Sequence, residues 1–177
     1  MTLKIAIVVG NPKPKSRTLK VAKALADKLF GPASSDAELI DLADYRDEIL
    51  LWPSPKMDAL NARVAESDVV IFASPTYKAT YTGLLKVFLD RYPANGLAGV
   101  TAIPLLTGAD QAHAMGPTVT LAPLLAELGA AVPGRGLYFV IGQMDRLDEI
   151  VQAAADQYAN VLRRMARVAA ALPNTGK

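Results

Sequence analysis

Short apolar runs rich in Val, Ile and Leu recur along the chain, with enough sequence between them for a helix. Runs without polar alternation are typical of parallel strands that are covered on both faces. The fourth run contains Pro104, which cannot donate to a sheet ladder, so this strand is predicted to be interrupted. The five predicted strands are Leu3–Val9, Ala37–Leu42, Val69–Ala73, Thr101–Leu106 and Leu137–Ile141.

Apolar residues recur at helical spacing between these runs. Ser16 or Thr18 can cap the first helix, and a glycine-proline pair ends it. The predicted helices are Ser16–Phe30, Ala59–Glu66, Gly83–Arg91, Pro123–Leu128 and Leu147–Leu172. The polar segment Ala43–Asp58 is predicted to be an irregular excursion.

Strands that alternate with helices indicate an α/β fold with a parallel sheet. Five strands favour a flavodoxin-like three-layer sandwich with the strand order 2-1-3-4-5. We find no internal repeat or linker, so residues 1–177 are predicted to form a single domain.

The amino-acid composition argues against several kinds of functional site. The chain has no cysteine and one histidine, His113, which argues against thiolate catalysis, disulfides and a metal site. A net charge of +2 is too small to indicate binding to nucleic acid or to an anionic membrane. No signal peptide or membrane span is recognisable, so we expect a cytoplasmic protein.

Three loops follow the strongest predicted strands: Gly10–Thr18, Ser74–Thr82 and Thr107–His113. In open α/β sheets, ligands bind outside the carboxyl ends of the strands. The three loops should therefore open on the same side of the sheet and could form one site.

The first loop, GNPKPKSRT, lacks the glycine spacings of an NTPase phosphate loop and of a dinucleotide fingerprint. It does lead into a helix N-terminus, where free N–H groups and the helix dipole favour a phosphate. Six side chains add hydrogen bonds or positive charge: Asn11, Lys13, Lys15, Ser16, Arg17 and Thr18. An ordinary capped helix after a solvated turn is the alternative.

The second loop, SPTYKATYTG, carries aromatic and hydrogen-bonding groups away from Pro75. Tyr77 and Tyr81 can flank a planar group, or they can plug the core or a subunit interface. We favour a ligand for Tyr77 and the core or an interface for Tyr81. In the third loop, Gly108 allows the backbone to approach a ligand closely. His113 is either a general base or, more commonly for a lone histidine, a structural donor.

A phosphate at the first loop and a planar ring with polar edges at the other two describe flavin mononucleotide (FMN). The three segments GNPKPKSRT, SPTYKATYTGLLKVFLD and PLLTGADQAH resemble the NADPH-dependent FMN reductase family. They are most similar to the branch that supplies reduced FMN to two-component sulfonate monooxygenases. Asn11 stands where the family usually has serine, and Ala109 where a second glycine is common, which would be strained at a positive φ.

The resemblance implies that the phosphate lies at the first loop and the flavin ring at the second and third. The implied cofactor-binding residues are Asn11, Lys13, Ser16, Arg17, Thr18, Pro75, Thr76, Tyr77, Lys78, Thr107, Gly108 and Ala109. Leu85, Lys86 and Asp90 match a helix that often lies at a subunit interface in the family, which implies a homodimer or homotetramer.

The implied activity is hydride transfer from NADPH or NADH to FMN, with reduced flavin passed to a partner monooxygenase. The cofactors carry this chemistry, so no catalytic side chain is required, although Lys78 could stabilise negative charge. Two alternatives stay open: a flavin-bound quinone or azo reductase, and a non-catalytic flavodoxin-like electron carrier. Such carriers are commonly acidic, which a charge of +2 does not match.

Overall fold

The computed structural model describes residues 3–173, whose centre is one sheet of five parallel strands. The strands are β1 Ile5–Val9, β2 Glu38–Asp41, β3 Val69–Pro75, β4 Thr101–Gly108 and β5 Leu137–Val140. Their order in the sheet is β2-β1-β3-β4-β5. The predicted flavodoxin-like topology is therefore confirmed.

Helices connect the strands and cover both faces of the sheet. The α-helices are α1 Arg17–Phe30, α2 Pro55–Ala65, α3 Gly83–Leu89, α4 Ala122–Glu127 and α5 Leu147–Ala171. Short 3₁₀ segments lie at Gly31–Asp36, Leu42–Tyr45 and Ile141–Arg146, and a π-helical turn at Pro117–Leu121 leads into α4.

Two apolar cores lie on opposite faces of the sheet. Ile7 and Ile71 pack in the core that includes α1 and α5, whereas Val8 and Phe72 pack in the core that includes α2, α3 and α4. Successive residues of a strand point to opposite faces, so every residue of β1 and β3 is buried. The uninterrupted apolar runs in the sequence follow from this double coverage.

The predicted interruption of the fourth strand is wrong, because β4 runs through Pro104 to Gly108. Ala102 donates its N–H to the carbonyl of Ala131, on the side of β4 that faces β5. Peptide groups alternate along a strand, so Pro104 faces the same side. The strand β5 starts opposite Leu105, which leaves Pro104 in the gap where no N–H is needed.

Two predicted helix starts are also too late. The helix α2 starts at Pro55, inside the segment predicted to be irregular, because the Ser54 hydroxyl caps it by accepting from the N–H of Met57 over 3.3 Å. The helical segment before β5 starts at Pro117, through its π turn. Within residues 3–173, no helix is both long enough and apolar enough to cross a bilayer.

Candidate flavin-binding site

Three loops meet at one rim of the sheet. β1, β3 and β4 are adjacent and parallel, so the loops that follow them lie on the same side. The N–H of Thr76 donates to the carbonyl of Thr107 over 2.7 Å, and Thr82 Oγ1 donates to the carbonyl of Gly10 over 2.5 Å. The hydroxyls of Thr18 and Thr107 are 2.8 Å apart. Each loop is thus hydrogen-bonded to another, and the rim forms one connected surface.

Gly10 allows the second loop and α3 to approach the end of β1. A Cβ at this position would lie 2.5 Å from Leu85 Cβ, too close for any side chain. Leu85 itself is fully buried in the chain's own core. This side chain therefore packs within the core, and the homo-oligomer that the resemblance implies for this helix stays a prediction.

Lys86 and Asp90, which belong to the same matched segment, lie on the surface as an ion pair one helical turn apart. The hydrogen bond that Lys86 donates to the Asp90 carboxylate raises the pKa of Lys86. Both side chains are more than two fifths exposed, so the pair adds little stability on its own.

The first loop presents free donors at the start of α1. Ser16 caps the helix, since its hydroxyl accepts from the N–H of Leu19 over 3.2 Å. The N–H groups of Ser16, Arg17 and Thr18 have no acceptor among the described residues. Such an N-terminal turn favours a phosphate, because several N–H groups and the positive end of the helix dipole point at one place.

Three cations surround this turn. The side chains of Lys13, Lys15 and Arg17 are exposed, and none of them forms an ion pair within residues 3–173. The structure therefore brings the predicted hydrogen-bond donors and the predicted positive charge to one place, as an anion site requires.

The side chains of Asn11 and Thr18 also hold the loop together. Asn11 Oδ1 accepts from the N–H of Lys13 over 2.9 Å, and Asn11 Nδ2 donates to Thr18 Oγ1 over 3.1 Å. Thr18 is 1% exposed and its hydroxyl also pairs with Thr107. This hydroxyl links the first loop to the third. Because it is buried and already bonded, a phosphate at this turn would bind the backbone N–H of Thr18 and not its side chain.

The second loop contains a tight hairpin turn at residues 77–80. Tyr77 N–H donates to the carbonyl of Thr80 over 2.8 Å, and the return bond measures 3.4 Å. Lys78 and Ala79, between them, both have left-handed backbones, with φ of 52° and 73°. Two consecutive non-glycine residues in this region are uncommon and cost conformational energy. The turn leaves Tyr77 54% exposed at the rim.

The predicted division between the two tyrosines agrees with their burial. Tyr81 is half-buried and packs against the core that includes α3. Tyr77 is the exposed ring of the pair and the one that a planar ligand at the rim can reach.

Two hydroxyls in the second loop lack partners. Thr76 Oγ1 and Thr80 Oγ1 are both buried, and neither has a hydrogen-bond partner among residues 3–173. An unpaired buried hydroxyl costs about 1–3 kcal/mol. A ligand with polar atoms along its edge would remove this cost, so the rim fits a flavin ring, which has such an edge.

In the third loop, Thr107 is 2% exposed and turned toward Thr18. A Cβ at Gly108 would lie 1.7 Å from the phenol oxygen of Tyr138, so a larger residue fits there only when the Tyr138 side chain moves. The backbone of Ala109 is not left-handed, and the strain that alanine would suffer at a positive φ does not arise.

His113, the last residue of the third loop, lies on an exposed surface, where its imidazole has no hydrogen bond within the described part of the chain. It borders a mostly apolar groove of about 350 Å³, next to Ala79, Met115 and Val119. No side chain among residues 3–173 orients the imidazole as a general base requires, and both alternatives for His113, a general base and a structural donor, stay predictions.

The sequence did not identify Ser74 and Asp41 as the residues whose hydrogen bonds hold the loops in place. Ser74 Oγ accepts from the N–H of Thr82 over 2.9 Å and donates to the carbonyl of Pro75 over 2.8 Å. Asp41, at the end of β2, accepts from the N–H of Lys15 over 2.9 Å. Polar residues at the carboxyl ends of apolar runs were the available signal in each case.

Comparisons with known proteins agree with this geometry. The model of the NADPH-dependent FMN reductase family matches residues 3–145. The FMN reductase (NADPH) of Escherichia coli (strain K12) is 32% identical over 133 residues, which cover 72% of this chain and 68% of that protein. The NADH-dependent FMN reductase SfnF of Pseudomonas putida is 27% identical over 168 residues, which cover 90% and 89% of the two chains.

Among solved structures, the apo form of the NADH:FMN oxidoreductase EMOB superposes with a TM-score of 0.77. It is 29% identical, and the match covers 90% of this chain and 89% of that one. The resemblance seen in the three loop segments is confirmed, together with the predicted class of enzyme and its FMN and nicotinamide cofactors. The chain belongs to the NADPH-dependent FMN reductase family.

Proposed function

We propose that the three connected loops of this chain bind FMN for reduction by NADPH or NADH. One observation carries the proposal. Among the described residues, the same rim presents N–H groups without acceptors at the start of α1 and buried hydroxyls without partners in the second loop. The first set suits a phosphate and the second suits a heteroatom on a ring edge. FMN offers both chemical groups in one molecule.

The phosphate would be held by the first loop. The N–H groups of Ser16, Arg17 and Thr18 supply directed donors, and Lys13 supplies charge. Asn11 keeps the loop in shape through its bonds to Lys13 and Thr18. The positive charge would also attract the anionic ligand from solution.

The ring would lie against the second and third loops. Thr76 offers its hydroxyl, Tyr77 its exposed ring face, and Gly108 a backbone that lies beside the Tyr138 phenol. When bound, FMN supplies the redox chemistry, and the protein supplies binding, orientation and electrostatics. Lys78 places a positive charge at the tip of the second loop. Pro75, Thr107 and Ala109 complete the proposed ring contacts.

Reduction of a quinone at the same rim is the second candidate. The groove beside Ala79 is mostly apolar and is lined by the exposed side chains of Met115 and Val119. An aromatic acceptor suits such a surface better than a charged one. Turnover with FMN against turnover with a quinone separates the two candidates.

The homo-oligomer and the partner monooxygenase belong to the same proposal. The relative SfnF is named an NADH-dependent FMN reductase, and the resemblance points to the branch that serves sulfonate monooxygenases. Leu50, Leu51 and Trp52 are three consecutive residues that are each more than half exposed, and a second subunit would cover such a run. The cytoplasmic location stays a prediction.

A steady-state assay with purified protein tests the proposal. Oxidation of NADPH and of NADH is followed at 340 nm (about the nicotinamide absorbance maximum) with FMN, riboflavin or a quinone as acceptor. We expect turnover that depends on FMN and falls when riboflavin replaces it, because riboflavin lacks the phosphate. Failure of both nicotinamides to reduce FMN would refute the reductase and favour an electron carrier.

A further inference from the structure

Asp41 is a buried carboxylate directly beneath the first loop. It is the last residue of β2, which pairs with β1 in the sheet, and it is 7% exposed. Its Oδ2 accepts from the N–H of Lys15 over 2.9 Å, and its Oδ1 accepts from the N–H of Ala43 over 3.3 Å. One carboxylate therefore joins the first loop to the segment that follows β2.

The residue that Asp41 holds has an unusual backbone. Lys15 has a φ of 52°, a left-handed conformation that is costly for a residue with a Cβ. Lys15 immediately precedes Ser16, which caps α1 and begins the set of free N–H groups. The conformation of Lys15 therefore fixes the direction in which the chain enters the turn proposed to bind the phosphate.

Charge alone does not explain an aspartate at this place. A carboxylate beside a phosphate site repels the ligand, so Asp41 would weaken binding if it acted only through its charge. The two oxygens of the Asp41 carboxylate instead accept hydrogen bonds from the N–H groups of two different segments. Asparagine can replace one of these acceptors, whereas alanine replaces neither.

We propose that Asp41 is a positioning residue, which holds Lys15 in its left-handed conformation and so shapes the phosphate-binding turn. The proposal rests on the proposed function, because it assigns the phosphate of FMN to that turn. Within residues 3–173, the Asp41 carboxylate makes no hydrogen bond to the second or third loop. Its effect should appear in the discrimination between FMN and riboflavin.

The test is a fluorescence titration of Asp41→Ala and Asp41→Asn with FMN and with riboflavin. We expect Asp41→Ala to weaken FMN binding about fivefold to thirtyfold, from the cost of a left-handed residue. Riboflavin binding should change by less than about twofold, and Asp41→Asn should fall between wild type and Asp41→Ala. Asp44→Asn is the matched control, since it removes an exposed carboxylate that forms no ion pair or side-chain hydrogen bond within residues 3–173.

Glycine at position 15 provides a second arm. In the Asp41→Ala background, Lys15→Gly and Lys15→Ala remove the same charge, but only glycine adopts a positive φ without strain. We expect the glycine double variant to bind FMN about fivefold more tightly than the alanine one. A smaller difference is expected when Asp41 is present.

The outcomes separate the two proposals. If wild type binds FMN but Asp41→Ala weakens FMN and riboflavin equally, or weakens neither, the positioning role is refuted. Equal FMN binding by the two double variants also refutes it. If wild type does not bind FMN, the proposed function itself fails. Should Asp41→Ala not fold, Asp41→Asn and the Lys15 variants in the Asp41→Asn background decide by the same comparisons.

Discussion

Replacing Thr76 by valine should change protein stability and flavin affinity in opposite directions. Valine has nearly the shape of threonine but no hydroxyl, and the Thr76 hydroxyl is buried without a partner among residues 3–173. Removing it should raise the free energy of unfolding of the flavin-free protein by about 1 kcal/mol, the low end of the cost of an unpaired polar group. For a chain of this size, that is roughly 2–4 °C in the unfolding temperature.

The same substitution should weaken the binding of FMN. If the flavin edge bonds to this hydroxyl, its loss removes a net contribution of about 0.5–1.5 kcal/mol, or roughly twofold to twelvefold in Kd. Thermal unfolding without flavin and a fluorescence titration with FMN measure the two effects on one preparation. Thr82→Val is the control, because its hydroxyl is already bonded to Gly10 and should lower stability when removed.

A Thr76→Val protein that is less stable without flavin, and that binds FMN as tightly as wild type, would refute this reasoning. The hydroxyl would then have an internal partner and no role at the rim.

Gly108→Ala should destabilise the protein by about 1–3 kcal/mol in urea unfolding, because its Cβ would overlap the Tyr138 phenol, and Tyr138→Phe should recover part of the loss. Thr18→Val and Thr107→Val should couple by about 0.5–3 kcal/mol in a double-mutant cycle, since either change removes the bond between the two hydroxyls and leaves Thr18 with only its bond from Asn11 or Thr107 without this partner; additive effects would contradict the bond. Ser16→Ala should cost about 0.5–2 kcal/mol through the loss of the α1 cap, and unchanged thermal unfolding would argue against it.

The sheet, and the rim of the sheet that carries the three loops, could be predicted because each central strand is marked by residues that are consecutive in the sequence. Each strand that is covered on both faces is an uninterrupted apolar run, and the order of strands and helices leaves few topologies open. The position of the three loops at one rim follows from that topology. Pro104 misled the prediction, because its missing donor matters only on the side that a neighbouring strand reaches.

The interior of the site could not be predicted, because it depends on contacts between distant segments. Thr18 and Thr107 are 89 residues apart in sequence, and their hydroxyl pair gives no local pattern. Asp41 resembles any polar residue at the end of a strand until β2 is placed beside β1. The close packing of Leu85 against Gly10 likewise joins two distant segments and gives no local pattern.

A crystal structure of the protein soaked or grown with FMN tests the central proposal most directly. We predict the phosphate on the N–H groups of Ser16, Arg17 and Thr18, and the ring between the second and third loops within hydrogen-bond distance of Thr76 Oγ1. A flavin bound elsewhere, or a phosphate that does not contact the first turn of α1, would contradict it.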